Sequence, residues 1–95
     1  MNGLSFEWDA AKAAANRRKH GVSFDEASGA FEDPNAFARY DEAHSGSEDR
    51  WKVIGLSSKG RLVSVIYTRR GPNVRIISAR KADAREAKAY DEAQR

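Results

Sequence analysis

The segment Arg61-Leu62-Val63-Ser64-Val65-Ile66-Tyr67-Thr68 leads through Arg70-Gly71-Pro72-Asn73 into Val74-Arg75-Ile76-Ile77-Ser78-Ala79-Arg80. β-Branched and aromatic residues dominate both runs, and the Gly-Pro-Asn between them is turn chemistry, so the pair reads as a β-hairpin. Residues two apart on a strand share a face. Arg61, Val63, Val65, Tyr67 and Arg69 are therefore expected on one side, with Leu62, Ser64, Ile66 and Thr68 on the other. On the second strand Ile76, Ser78 and Arg80 should oppose Arg75, Ile77 and Ala79. Upstream, Trp51-Lys52-Val53-Ile54-Gly55-Leu56 reads as another strand, joined to the hairpin by Ser58-Lys59-Gly60.

Helices flank this β-rich half. Asp83 stands as an N-cap before a last helix over residues 84–93, with Glu86 at its third position. Near the start, Leu4-Ser5-Phe6-Glu7-Trp8 alternates like a short strand. Asp9 then caps an alanine-rich run to Lys19, which His20 and Gly21 end. Ser23-Phe24-Asp25-Glu26 has the form of a capping box, opening a second amphipathic helix to about residue 32 that Asp33-Pro34 stops. Residues 37–40 suit a short strand, and the polar residues 42–49 a loop expected to be the most mobile segment. The order is β-α-α-β-β-β-β-α, an α+β fold with an antiparallel sheet.

Ninety-five residues suit one domain over 1–95 with a modest core. There is no cysteine, so neither a disulfide framework nor a thiolate metal site is available, which fits a reducing compartment. No apolar run approaches the ~20 residues of a membrane span, and no charged-then-apolar signal pattern opens the chain. A cytoplasmic protein is expected. The net charge of +3 hides a strong segregation. Residues 51–82 carry eight basic side chains and no acidic one, whereas residues 23–50 carry eight acidic side chains against two arginines. One pole suits a polyanion, and two merely solvated faces are the plainer alternative.

Chemistry narrows the options. His20 and His44 stand in different contexts, and Asp41, His44 and Glu48 are the only group near metal-ligand spacing, a pattern more common on solvated loops. No glycine-rich phosphate loop is present, and no cofactor is expected. The basic hairpin remains: arginine forks phosphate oxygens, and an aromatic ring can stack on a base. RNA can be cut without metal when a 2′-hydroxyl attacks the adjacent phosphate, provided cations stabilise the phosphate and one group moves protons. Strand arginines that only pair with acidic neighbours such as Glu86, or guard a sheet edge, are the structural alternative.

Phe6-Glu7-Trp8-Asp9, Lys12, Asn16 and Lys19-His20-Gly21-Val22-Ser23-Phe24 resemble the opening signature of the BrnT toxin family. Later pieces agree in order: Phe31-Glu32-Asp33-Pro34, Asp41 with His44, Glu48 with Arg50, Gly55-Leu56-Ser57, Gly60-Arg61-Leu62, Arg75-Ile76-Ile77-Ser78-Ala79-Arg80, then Glu86 and Tyr90. The resemblance covers nearly the whole chain. It implies a RelE-like fold and a type II toxin that cleaves mRNA and blocks translation. It also implies neutralisation by a BrnA-type antitoxin with a ribbon-helix-helix DNA-binding domain, in a 2:2 heterotetramer that binds operator DNA. On this reading Arg75 and Arg80 hold the phosphate, Arg61 positions the RNA, and Tyr90 or His20 carries the proton, with Glu86 in support. His20 before a capping glycine can equally be a helix-end cation. Lys19, Lys59, Arg69, Arg70 and Lys81 are expected to contact RNA, and the antitoxin to lie across the sheet near Arg61, Arg75 and Arg80. The alternative function is a non-catalytic module whose basic sheet docks an acidic antitoxin segment.

Overall fold

Asp9 and Gly21 delimit the first helix as expected. The Asp9 carboxylate accepts the Lys12 amide at 2.9 Å, and Gly21 closes helix α1 (Ala10–His20) at φ 71°, a left-handed conformation that favours glycine. The computed structural model describes residues 4–94, so residues 1–3 and 95 of the expected domain lie outside the described residues. Ser23 caps α2 (Phe24–Ser28) by accepting the Glu26 amide. The box is only half formed, because the Glu26 side chain turns inward instead of reaching back. Past Ser28 the chain tightens into a 3₁₀ turn (Gly29–Glu32) rather than continuing as α-helix. A Cβ at Gly29 would lie 2.5 Å from the Ser58 amide nitrogen, so only glycine permits that approach.

The strands are β1 (Ser5–Glu7), β2 (Phe37–Tyr40), β3 (Trp51–Leu56), β4 (Leu62–Arg70) and β5 (Asn73–Lys81), followed by α3 (Ala84–Glu92). They form one sheet in the order β1-β5-β4-β3-β2. The sheet is mixed, not antiparallel throughout. β2 to β5 pair antiparallel, but β1 joins β5 in parallel, with Phe6 opposite Val74. No hairpin ties β1 to its neighbour, so burial of Phe6 against Phe31, at 5.2 Å between ring centroids, sets its place. Val22, Phe24, Ala27, Ala30 and Phe31 fill the space between the N-terminal helices and Val53, Val63, Val65, Val74, Ile76 and Ala79 of the sheet. Among the described residues no helix is long and apolar enough to cross a membrane.

β1 covers only the first three residues of β5, which leaves the outer backbone groups of Ala79 without a strand partner. The buried Asn16 side chain supplies one. Its Nδ2 donates to the carbonyls of Ala79 (2.8 Å) and Val22 (3.0 Å), and its Oδ1 accepts the Ala79 amide at 3.1 Å. Unpaired buried backbone groups cost ~1–3 kcal/mol each. Asn16→Ala should therefore lower stability by about 2–4 kcal/mol, a fall in Tm of roughly 10–20 °C for a domain of this size. Calorimetry giving a Tm within about 3 °C of wild type would remove the clamp from the account.

Candidate active site

The second face of the sheet carries the polar chemistry, and strand register assembles it. One row runs Phe37–Ile54–Ser64–Arg80 across β2 to β5, and the next runs Arg39–Lys52–Ile66–Ser78. A bulge decides which β5 residues belong there. Ser78 pairs with Ile66 and Ile76 with Tyr67, so Ile77 is an extra residue that resets the alternation. The expected facing is thereby corrected: Val74, Ile76 and Ala79 enter the core, while Arg75, Ser78 and Arg80 share the polar face.

Helix α3 lies over this face and anchors it through Glu86. Asp83 and Glu86 form a complete capping box at the start of α3. The Glu86 carboxylate also accepts Arg80 at 2.7 and 3.0 Å, Lys52 at 3.2 Å and the Ser64 hydroxyl at 3.3 Å. Burial opposes ionisation of Glu86. The hydrogen bonds from Arg80 and the Asp83 amide, with the Arg80 charge and the Lys52 contact, outweigh it and hold the carboxyl at about 2. Glu86 is thus an anion that fixes two cations side by side.

Beside that cluster opens a cleft of about 190 Å³, lined by His20, His44, Lys52, Ser64, Ser78 and Arg80, with Ile66 and Ala79 behind. His20 arrives there because it sits one helical turn after Asn16, whose amide clamps α1 to Ala79. His44 comes from a 3₁₀ turn (Glu42–His44), and its Nδ1 meets the Asp41 carboxylate at 2.6 Å. A carboxylate only accepts, so Nδ1 donates this hydrogen bond and Nε2 is left for other contacts. Two imidazoles, a guanidinium and an ammonium around one polar hollow can move protons and hold an anion.

The other expected site residues fall elsewhere. Arg61 is on the opposite face: its Nε donates to Glu26 at 2.9 Å and its guanidinium also reaches the Gly21 carbonyl at 3.0 Å. Tyr90 is buried and donates its hydroxyl to Asp33 at 2.6 Å. Burial and that bond raise the Tyr90 hydroxyl, while the bonds that Asp33 accepts overcome burial to hold its carboxyl low. Tyr90 thereby ties α3 to the end of the 3₁₀ turn and does not line the cleft. Arg75 shares the polar face but pairs with Glu7 at 3.6 Å towards the β1 edge. Lys19, Lys59, Arg69, Arg70 and Lys81 are exposed, and Arg70 lies 3.7 Å from Glu48. Glu48 also faces Arg50 at 3.7 Å, so it does not complete a ligand group with Asp41 and His44. Sequence reasoning passed over Lys52 as a site residue and weighed His44 only as a metal ligand. Both depend on cross-strand register, which one strand's alternation does not reveal.

Residues 8–86 match the family model described as the ribonuclease toxin BrnT of type II toxin–antitoxin systems. The chain belongs to the BrnT family. The matched span contains every residue lining the cleft and stops before Tyr90. The structure is also similar to the 1.1 Å crystal structure of the Brucella abortus ribonuclease toxin BrnT, with a TM-score of 0.67 at 25% identity, over 84% of this chain and 97% of that one. No curated protein gives a significant match. The three helices and five-strand mixed sheet are thus a BrnT architecture, compatible with the RelE-like expectation.

Proposed function

We propose that this BrnT protein acts as one toxin domain in the cytoplasm, where it cuts mRNA without a metal ion. The observation that carries the reading is the convergence of His20, His44, Lys52 and Arg80 on one cleft. His44 Nε2 takes the proton of a ribose 2′-hydroxyl as that oxygen attacks the adjacent phosphorus. The bond from phosphorus to the 5′-oxygen breaks, and that oxygen takes a proton from His20. Arg80 and Lys52 stabilise the charge that builds on the non-bridging oxygens. The products are a 2′,3′-cyclic phosphate and a 5′-hydroxyl. Each role that a metal would fill is here filled by a side chain.

Cleavage by the purified protein should survive EDTA unchanged and leave the cyclic phosphate, read by mass spectrometry of a defined oligonucleotide. Activity lost in EDTA and restored by magnesium would overturn this mechanism. A BrnA-type ribbon-helix-helix antitoxin is the expected neutralising partner, in a 2:2 complex that reaches operator DNA through the antitoxin. Because Arg80 lines the cleft and Arg61 lies on the other face, an antitoxin segment that blocks the cleft covers Arg80, reaches Arg75 only if it continues along the sheet towards β1, and leaves Arg61 untouched.

A further inference from the structure

A second hollow, of about 380 Å³, lies between β2 and α3 and meets the cleft at Lys52. We infer that it is a subsite for single-stranded RNA, holding the nucleotide that neighbours the scissile phosphate; this rests on the ribonuclease reading and extends it. Its volume lies at the low end of the ~300–1,000 Å³ typical of small-ligand sites. The floor is apolar: Phe37 and the buried Ile54 are cross-strand partners, and Ala89 of α3 closes the side. Over the Phe37 ring lies the Arg39 guanidinium, 5.1 Å from the centroid, a cation–π contact that holds this cation at the edge of the floor.

Charge supports the same occupant. Arg39 and Arg85 stand on the rim, both exposed, and neither has an ion-pair partner among the described residues. The acidic groups lining the hollow are already engaged: Asp41 with His44, Asp83 in the helix cap, and Glu86 with Arg80 and Lys52. Arg39 and Arg85 are therefore the cations at the rim that a phosphate could take as partners. Continuity supports it too. The row Arg39–Lys52–Ile66–Ser78 crosses four strands at ~4.8 Å spacing, so it extends about 14 Å from the hollow into the cleft. That is room for more than the reacting phosphate alone. The base would lie on Ile54 and Ala89 beside the Phe37 ring, with its far phosphate between Arg39 and Arg85.

The test uses the full chain and three probes: a dinucleoside monophosphate, which lacks the far phosphate, a hexanucleotide, and its uncleavable 2′-O-methyl analogue. For the double variant Arg39→Ala/Arg85→Ala, KM for the hexanucleotide should rise at least ~10-fold with kcat held within about 2-fold, and the dinucleotide should be unaffected. Anisotropy should show the analogue binding at least ~10-fold more weakly, with a shallower salt dependence. Arg39→Lys/Arg85→Lys, which keeps the charge, should recover most of the affinity. Unchanged affinity for the analogue, or equal losses on both cleavable substrates, overturns the subsite. Loss of antitoxin binding with RNA affinity intact overturns it as well, and gives the hollow to an acidic peptide. Should wild type cleave neither substrate yet bind the analogue through Arg39 and Arg85, the ribonuclease reading fails and the RNA subsite stands.

Discussion

His44→Ala is expected to slow RNA cleavage by about 10²–10⁴-fold while leaving the fold unaltered. The side chain is 56% exposed, and among the described residues its one polar contact is the Asp41 carboxylate, so its removal empties no core space. His20→Ala should slow cleavage to a similar degree through loss of the proton donor. The two act on one transfer, so the double variant should fall little below the worse single variant. Asp41→Asn keeps the imidazole but no longer fixes its tautomer, so a smaller loss of about 10-fold is expected. Single-turnover cleavage of an oligonucleotide reads all of these. A folded His44→Ala that cuts at the wild-type rate would remove the histidine pair from the mechanism.

The fold was largely legible because its boundaries depend on local chemistry. Asp9, Ser23 and Asp83 cap the helices expected of them, and Gly21 takes the left-handed position that its place after His20 implied. The site was less legible because it is made by long-range register. Ile77 looks like an ordinary strand residue, yet as a bulge it moves Arg75 and Arg80 onto one face. Lys52 reaches the site only because β3 is staggered to place it opposite Ile66, which in turn faces Ser78. His44 stands 24 positions from His20, and no periodicity links a helix end to a 3₁₀ turn across a sheet. The segregation of charge was real in sequence but was divided by folding. Arg61 and Arg80 ended on opposite faces, each held by a glutamate from a helix.

Arg61 is the residue whose role the structure changes most, and its partner gives the largest expected stability effect. Glu26 is 2% exposed and accepts the Ser57 hydroxyl at 2.7 Å and the Arg61 Nε at 2.9 Å. The Arg61 bonds, partly opposed by burial, hold its carboxyl below the ordinary 4.5. Removing Glu26 deletes a charged acceptor from both Ser57 and Arg61, and hydrogen bonds to charged groups contribute about 1.5–3 kcal/mol each. Glu26→Ala should thus cost about 3 kcal/mol or more, a large part of the stability of a small domain. Glu26→Ala/Arg61→Ala should be no less stable than Glu26→Ala alone, since the unpaired cation is gone. The pH sign follows from the lowered carboxyl. The ionised pair stabilises fully above 4.5, and that contribution drains away as pH falls below it, so wild type should weaken in acid more steeply than Glu26→Gln. Catalysis separates the two arginines. Corrected for folded fraction, Arg61→Ala should cleave within about 3-fold of wild type, whereas Arg80→Ala should lose about 10²-fold or more, as the proposed hold on the phosphate requires. If folded Arg61→Ala proves as dead as Arg80→Ala, the phosphate must reach the face of the sheet that α1 and α2 cover, and the cleft around His20 and His44 is not where RNA is cut.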